Sequence, residues 1–148
     1  MTRYRVILHA TDFSTASRRA SSAALEWAVR DRARLVLVHV ASIPVPPVED
    51  AFITARTYRD LAQATIRDAE RRLERLVATA KARGVKAASM VLEGIAFEAI
   101  VQAARSQQAD LVVVGTHGRS GLRRFVLGSV AERVIGLAPC PVLTVPAR

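Results

Sequence analysis

Residues Gly115 to Ser129, GTHGRSGLRRFVLGS, hold four of the chain's seven glycines and three of its arginines. Within them Gly115, Gly118, Gly128 and Ser129 make the spacing G-x2-G-x9-G-S. Glycine lets backbone approach a ligand closely and turn with positive φ, which aims successive N–H groups at an anion. Ser129 opens a helical pattern whose free amides and dipole favour phosphate. Arg119, Arg123 and Arg124 add positive charge nearby. The chemistry these residues suit is phosphate binding. A plainer role competes for one of them: with Glu132, "SVAE" reads as a capping box in which the Ser129 hydroxyl serves its own helix.

Other chemistries find less support. The chain has neither G-x-x-x-x-G-K-[ST] nor G-x-G-x-x-G, which counts against P-loop chemistry and a dinucleotide dehydrogenase. His9, His39 and His117 lack the companions of a metal site, and His9 and His39 alternate within apolar runs. No Ser–His–Asp spacing and no carboxylate pair stands near the glycines, so bound phosphate would lack an evident general base. Asp12 is the best reader of a base or ribose; its plain alternative is a helix-capping aspartate.

The elements that must position these residues alternate. "YRVILHA" (Tyr4 to Ala10) reads as a buried strand. A helix capped by Ser14 or Thr15 follows to about Arg30, with Ala20, Ala24, Trp27 and Ala28 on its apolar face. "RLVLVHV" (Arg34 to Val40) is a second strand, and the three prolines of "ASIPVPPVED" mark a loop. A long helix spans about Ala51 to Arg83, its apolar face carrying Tyr58, Leu61, Thr65, Ala69, Leu73, Leu76, Val77 and Ala80, with Gly84 as its stop. Asp68, Glu70 and Glu74 interleave with Arg67, Arg71, Arg72 and Arg75, which describes a solvated face. "VKAASMVLEG", "ADLVVVG" and "CPVLTVP" supply three further strands, separated by the helices "IAFEAIVQAARSQ" and "SVAERVIGLA". Strands apolar on both faces that alternate with helices predict a doubly wound, five-stranded parallel sheet, α/β and Rossmann-like. Ligands bind beyond the carboxyl ends of such strands. Those ends are His9 to Asp12, Val40, Gly94 and Gly115 to Gly118.

At 148 residues, 51% hydrophobic and 24% charged, the chain reads as one globular domain over residues 1–148. No apolar run is long enough to span a bilayer, and a reducing, cytoplasmic setting fits the single Cys140, a small apolar residue at the start of a strand. A balance of 22 basic against 13 acidic residues, +9, suggests an anionic partner, although arginine-rich codon usage gives the same excess.

The segments "VILHATDFS", "LVLVHV" and "DLVVVGTHGRSGLRRFVLGSVAERVIGLAPCPVLTVP" together resemble the universal stress protein family over essentially the whole chain. The resemblance implies a homodimer paired through the last strand, here Val142, Leu143, Thr144 and Val145. It also implies membership of the ATP-binding branch, whose signature G-x2-G-x9-G-[ST] is complete here. Asp12 and the backbone at Val40 would then hold adenine, with Thr11 also among the nucleotide-binding residues. Gly115, His117, Gly118, Gly128, Ser129 and Val130 would hold ribose and phosphates, with Mg²⁺ or Mn²⁺ as companion of the triphosphate. Many members carry proline where this chain has Ala10 and Ala96. The role implied is an ATP-dependent stress-response regulator working through its dimer or a protein partner, in the cytoplasm. The alternatives are a slow ATP hydrolase that uses His117 and, as the weakest, a nucleic-acid or anionic-surface binder.

Overall fold

The computed structural model describes residues 3–43, 54–117 and 127–147. Five strands and four helices alternate: β1 (Val6–Ala10), α1 (Thr15–Asp31), β2 (Arg34–Val40), α2 (Ala55–Ala82), β3 (Ala87–Leu92), α3 (Ala96–Ser106), β4 (Leu111–Gly115), α4 (Ser129–Leu137) and β5 (Val142–Val145). All pairings are parallel, in the order β3-β2-β1-β4-β5. The doubly wound sheet expected from the alternating pattern is therefore the observed fold.

Register sends alternate residues to opposite faces. Ile7, Leu35, Leu37, Leu111 and Val113 pack under α1 and α2, where Ala20, Ala24, Ala28, Leu73 and Ala80 meet them. Leu8, Val36, Val38, Val112 and Val114 pack under α3 and α4, against Ile100, Ala103, Ala104, Ala131 and Val134. The central strands are buried on both faces, whereas β3 and β5 at the edges are only partly covered. Alanine at 20, 24 and 28 forms a stripe at four-residue spacing that lets α1 sit close to the sheet.

Local chemistry sets the helix ends. Ser14 caps α1 by accepting the Ser17 N–H, and Arg32, at φ 54°, closes it in the left-handed region. Thr54 caps α2 in the same way, and Gly84, at φ 77°, stands just beyond its end as the stop signal predicted. Residues 51–53, the expected start of that helix, lie outside the described residues. Only Ala69, Leu73 and Ala80 of the expected α2 face are fully buried, and Leu61 is exposed, so the second half of this 28-residue helix carries its contact with the core.

Two aspartates secure the amino end of β1. Asp110 accepts the N–H groups of Arg5 and Val6, and Asp31, itself buried, accepts that of Tyr4. Arg30 adds two charge-assisted bonds to Asp31, the shorter 2.7 Å, and holds its carboxyl below the usual carboxylate range. Cys140 is half-buried against the α3–α4 side of the core just before β5, and burial pushes its thiol up. No helix among the described residues is long and apolar enough to cross a membrane.

A candidate nucleotide cleft at the β1/β4 crossover

The chain runs outward from β1 to β2 and β3, then returns to build β4 and β5 on the other side of β1. The helix that follows β1 consequently packs on one face of the sheet, and α4, which follows β4, packs on the other. The gap between them is the switch point at which ligands enter open parallel sheets. A cleft of about 210 Å³ opens there. Among its lining residues are Thr11, Asp12, Val40, Gly115, His117, Gly128, Ser129 and Val130, the sequence-derived set apart from Gly118. Gly118 and the arginines Arg119, Arg123 and Arg124 lie outside the described residues.

The β1 side is a hydrogen-bonded turn. Thr11 donates its N–H to the Val38 carbonyl (2.9 Å), and its buried hydroxyl accepts the Phe13 N–H and meets the Ser17 hydroxyl at 3.0 Å. Asp12 accepts the Ser14 N–H at 2.9 Å. This is the Asx turn that leads into the helix, so its capping contribution is real but indirect: the cap itself is Ser14. Asp12 still lines the cleft, half-buried. His39 stands beneath the turn with Nδ1 2.8 Å from the Thr11 carbonyl, and its ring lies against Phe13 at 4.4 Å. A carbonyl only accepts, so Nδ1 of His39 carries the hydrogen.

The β4 side corrects two sequence expectations. Gly128, not Ser129, is the N-cap of α4; Ser129 is its first helical residue, and no side chain caps this end. The capping box is thus not formed, and the Ser129 hydroxyl is not consumed by its own helix. Nor is either described glycine of the motif left-handed: Gly128 has φ −61°, and Gly115 ends β4 as ordinary strand. The residues with positive φ at strand ends are Phe13 and Gly94. A Cβ on Gly115 would meet its neighbours at 3.5 Å or more, ordinary contact, so the protein's own packing does not require glycine there.

The Gly128 N–H donates to the Thr116 carbonyl at 2.7 Å and fastens the start of α4 to the end of β4. The Glu132 N–H makes the first bond of α4, to the Gly128 carbonyl. The amides of Ser129, Val130 and Ala131 therefore form the open first turn, at the positive end of the helix dipole. His117 pairs Nδ1 with the Thr116 hydroxyl at 2.9 Å, and its Nε2 is buried without a hydrogen-bond partner among the described residues.

The remaining wall is apolar and small: Ala10, Val40, Ala96, Ile100, Val114 and Ala131. Ala10 and Ala96, the two positions where proline was noted as common in relatives, both belong to it. Ile100 and Ala131 escaped the sequence reading because their helical spacing marks them only as core. His39 was weighed only as a metal ligand, although its place one residue before the strand end at Val40 could have put it here. Among the described residues, Asp12 is the sole acidic side chain of the lining, and no lysine or arginine belongs to it. The anion-attracting element on view is thus the first turn of α4 rather than a side-chain cation. No three His, Cys, Asp or Glu side chains come together as metal ligands among the described residues.

Comparison with known proteins agrees with this architecture. Residues 3–146 match the Universal stress protein family. A universal stress protein of Thermus aquaticus is 35% identical over 143 residues, covering 96% of this chain and 98% of its own. The solved structure of MJ0577, a universal stress protein of Methanocaldococcus jannaschii, superposes with a TM-score of 0.84 at 26% identity, over 98% of this chain and 97% of the other. A universal stress protein solved in complex with cAMP gives 0.66 at 28% identity, over 99% and 100%. With the family pattern spanning nearly every described element, the chain belongs to the universal stress protein family.

Proposed function

We propose that this protein binds ATP in the β1/β4 cleft and acts as a nucleotide-dependent regulator, changing its dimer or its protein partner in response. The observation that carries the reading is the convergence, at one switch point, of Asp12 with the open first turn of α4 and a Ser129 hydroxyl that does not cap its own helix. In this reading Val40, with Thr11 and Asp12, holds the adenosine end against the apolar wall. Gly115, His117, Gly118, Gly128, Ser129 and Val130 take the ribose and phosphates, with the Ser129 and Val130 amides as donors. A Mg²⁺ or Mn²⁺ ion would be held chiefly by the triphosphate, since Asp12 is the only carboxylate in the described lining. That a similar protein was solved with cAMP supports a nucleotide as the ligand class. Val142 to Val145 occupy a sheet edge, and pairing of two such edges would form the homodimer. The setting we propose is cytoplasmic.

The test is to denature freshly purified protein, identify any released nucleotide by mass, and titrate ATP–Mg²⁺ into wild type and variants. Ser129→Glu puts negative charge where the triphosphate would lie, while an acidic first turn favours the helix itself. Its ATP affinity is expected to fall by about a hundredfold, as desolvated like charges demand. Asp12→Ala should weaken ATP by about tenfold and leave inorganic triphosphate binding unchanged. Absence of nucleotide together with absence of binding would overturn the reading.

One observation favours a second activity, slow hydrolysis. The buried, unpartnered Nε2 of His117 is a group that can either donate to phosphate or, with its hydrogen on Nδ1 facing the Thr116 hydroxyl, accept a proton from water. His117→Ala under saturating ATP separates the two roles: an unchanged trace rate removes His117 as a base.

A further inference from the structure

A second cavity lies on the opposite face of the sheet from α3 and α4, between the start of α1 and the middle of α2. Its volume is about 340 Å³, and Thr11 and Ser17 line both it and the nucleotide cleft. Arg18 of α1 and Arg72 and Arg75 of α2 converge on it, with Asp68 as the single acidic residue. Asp68 is already engaged by Arg72 at 2.9 Å, and the Arg72 guanidinium also lies 5.4 Å from the Phe13 ring centre. The guanidinium groups of Arg18 and Arg75 make no ion pair or hydrogen bond among the described residues. Three guanidinium groups against one carboxylate leave the concavity with a charge of +2.

A hydroxyl donor, that of Ser14, accompanies that charge, the Ser17 and Ser21 hydroxyls being directed to the Ser14 and Ser17 carbonyls. Ser14 accepts the Ser17 N–H through its Oγ, which leaves its own O–H hydrogen without an acceptor among the described residues. Ser17 and Ser21 line the same wall, and the amino end of α1, whose first turn carries no acidic residue, closes it. Guanidinium forks, a hydroxyl donor and a positive helix end together match a tetrahedral oxyanion. The cavity favours a small ligand over nucleic acid, because these arginines face a concavity while the rest of the α2 surface alternates in sign through Arg67, Glu70, Arg71 and Glu74. We infer that the α1–α2 cavity is a second anion site, one that takes a phosphate group, as the free ion or as a small monoester, independently of the nucleotide cleft.

The test is a titration of inorganic phosphate into isotope-labelled full-length protein at constant ionic strength, with saturating ATP–Mg²⁺ and without it, following backbone amide resonances. The expected result is saturable shifts at Ser14, Ser17, Arg18 and Arg75 that persist with ATP present. Arg18→Ala with Arg75→Ala should weaken this binding by about tenfold or more. Arg67→Ala, on the same helix but outside the cavity, should leave it unchanged. Phenyl phosphate in place of the free ion tells which source is preferred, and acetate at equal concentration should produce no comparable shift. Shifts confined to Gly115 and Ser129–Ala131 and abolished by ATP would overturn the proposal, because phosphate would then be entering the nucleotide cleft. So would non-saturating shifts spread over surface arginines, an equal response to acetate, or no response. Because the free-ion arm needs no nucleotide, a protein that failed to bind ATP would still give an answer here.

Discussion

His9 is expected to make the fold sensitive to acid well above the range where carboxylates titrate. The ring is fully buried between β1 and α1, with Nδ1 2.9 Å from the Val113 carbonyl and Nε2 2.8 Å from the Ser21 hydroxyl. The carbonyl fixes the hydrogen on Nδ1, so the neutral ring accepts at Nε2. Ser21 then has one hydrogen for two acceptors, Nε2 and the Ser17 carbonyl at 3.1 Å. Protonating His9 would relieve that competition, yet the cost of burying the charge prevails, and the pKa is lowered from 6.5 to about 4. An unfolded chain takes up this proton as pH falls through 6.5, whereas the folded chain resists until about 4. The unfolded state therefore binds more protons across that window, and stability rises with pH between 4 and 6.5 and is level above it. A shift of about 2.5 units corresponds to about 3 kcal/mol lost on full acidification through the window. Urea midpoints measured from pH 4.5 to 7.5 at fixed ionic strength should show most of that loss. His9→Asn, whose amide can still serve Val113, should cost about 1–3 kcal/mol at pH 7 but flatten the profile. Equal slopes in wild type and variant would refute the assignment.

The remaining expectations concern the frame around the site. Leu73 is fully buried beneath α2, so Leu73→Ala should cost about 2–5 kcal/mol in urea unfolding. Arg32 closes α1 at φ 54°, a conformation that glycine adopts without strain; Arg32→Gly should raise stability by up to about 1 kcal/mol, read as a higher urea midpoint. Asp31 has its carboxyl lowered by Arg30 and the Tyr4 N–H, so its contribution is present above the unfolded value of 3.8 and lost as pH falls through the folded one. In the His9→Asn background, Asp31→Asn should remove pH dependence below 4, followed by acid titration of circular dichroism. Phe13 also sits left-handed, at φ 63°, but its ring fills the space between His39 and Arg72. Phe13→Gly should therefore destabilise by about 1–2 kcal/mol, the lost packing exceeding the relieved strain, as urea midpoints would report.

The central strands were legible because they are buried on both faces: "RLVLVHV" is a nearly continuous apolar run, and β2 occupies it from end to end. Helix starts followed the sequence at both Ser14 and "SVAERVIGLA", which begins at Ser129 as α4 does, but the cap itself was legible only where a side chain makes it, at Ser14 and not at Gly128. The motif residues Gly115, Gly128 and Ser129 line one cleft with Asp12, but without the backbone geometry that their spacing suggests. Their spacing suggested left-handed turns and a capping box, whereas neither described glycine has positive φ and Glu132 completes no box. Asp31 and Asp110 went unnoticed because their work is to accept main-chain N–H groups distant in sequence, which no local pattern records.

The packing of α1 and α4 on opposite faces of the sheet explains why so little side-chain chemistry is needed at the crossover. One turn, Thr11 to Ser14, closes on itself through Thr11 and Asp12, which hold the N–H groups of Phe13 and Ser14. Its strained member, Phe13, is driven toward the α1–α2 face and kept there by stacking. That leaves Ala10 and the turn backbone facing the cleft, with no bulky side chain in the way. The other turn returns to the sheet at Gly128, whose amide is spent on Thr116, so the next three amides point outward together. A polar pole and an apolar wall are thereby built mostly from backbone and from alanine, valine and glycine. If the cleft takes an anion as proposed, selectivity would come from the geometry of these donors, and substitutions of exposed arginines in α1 or α2 would leave them untouched. The two cavities on either side of the β1 turn share only Thr11 and Ser17, whose hydroxyls meet at 3.0 Å. The Ser14 N–H held by Asp12 is a further link between the two cavities, so that bond, the Thr11–Ser17 contact and the Phe13 stack are the routes by which an occupant of one would influence the other.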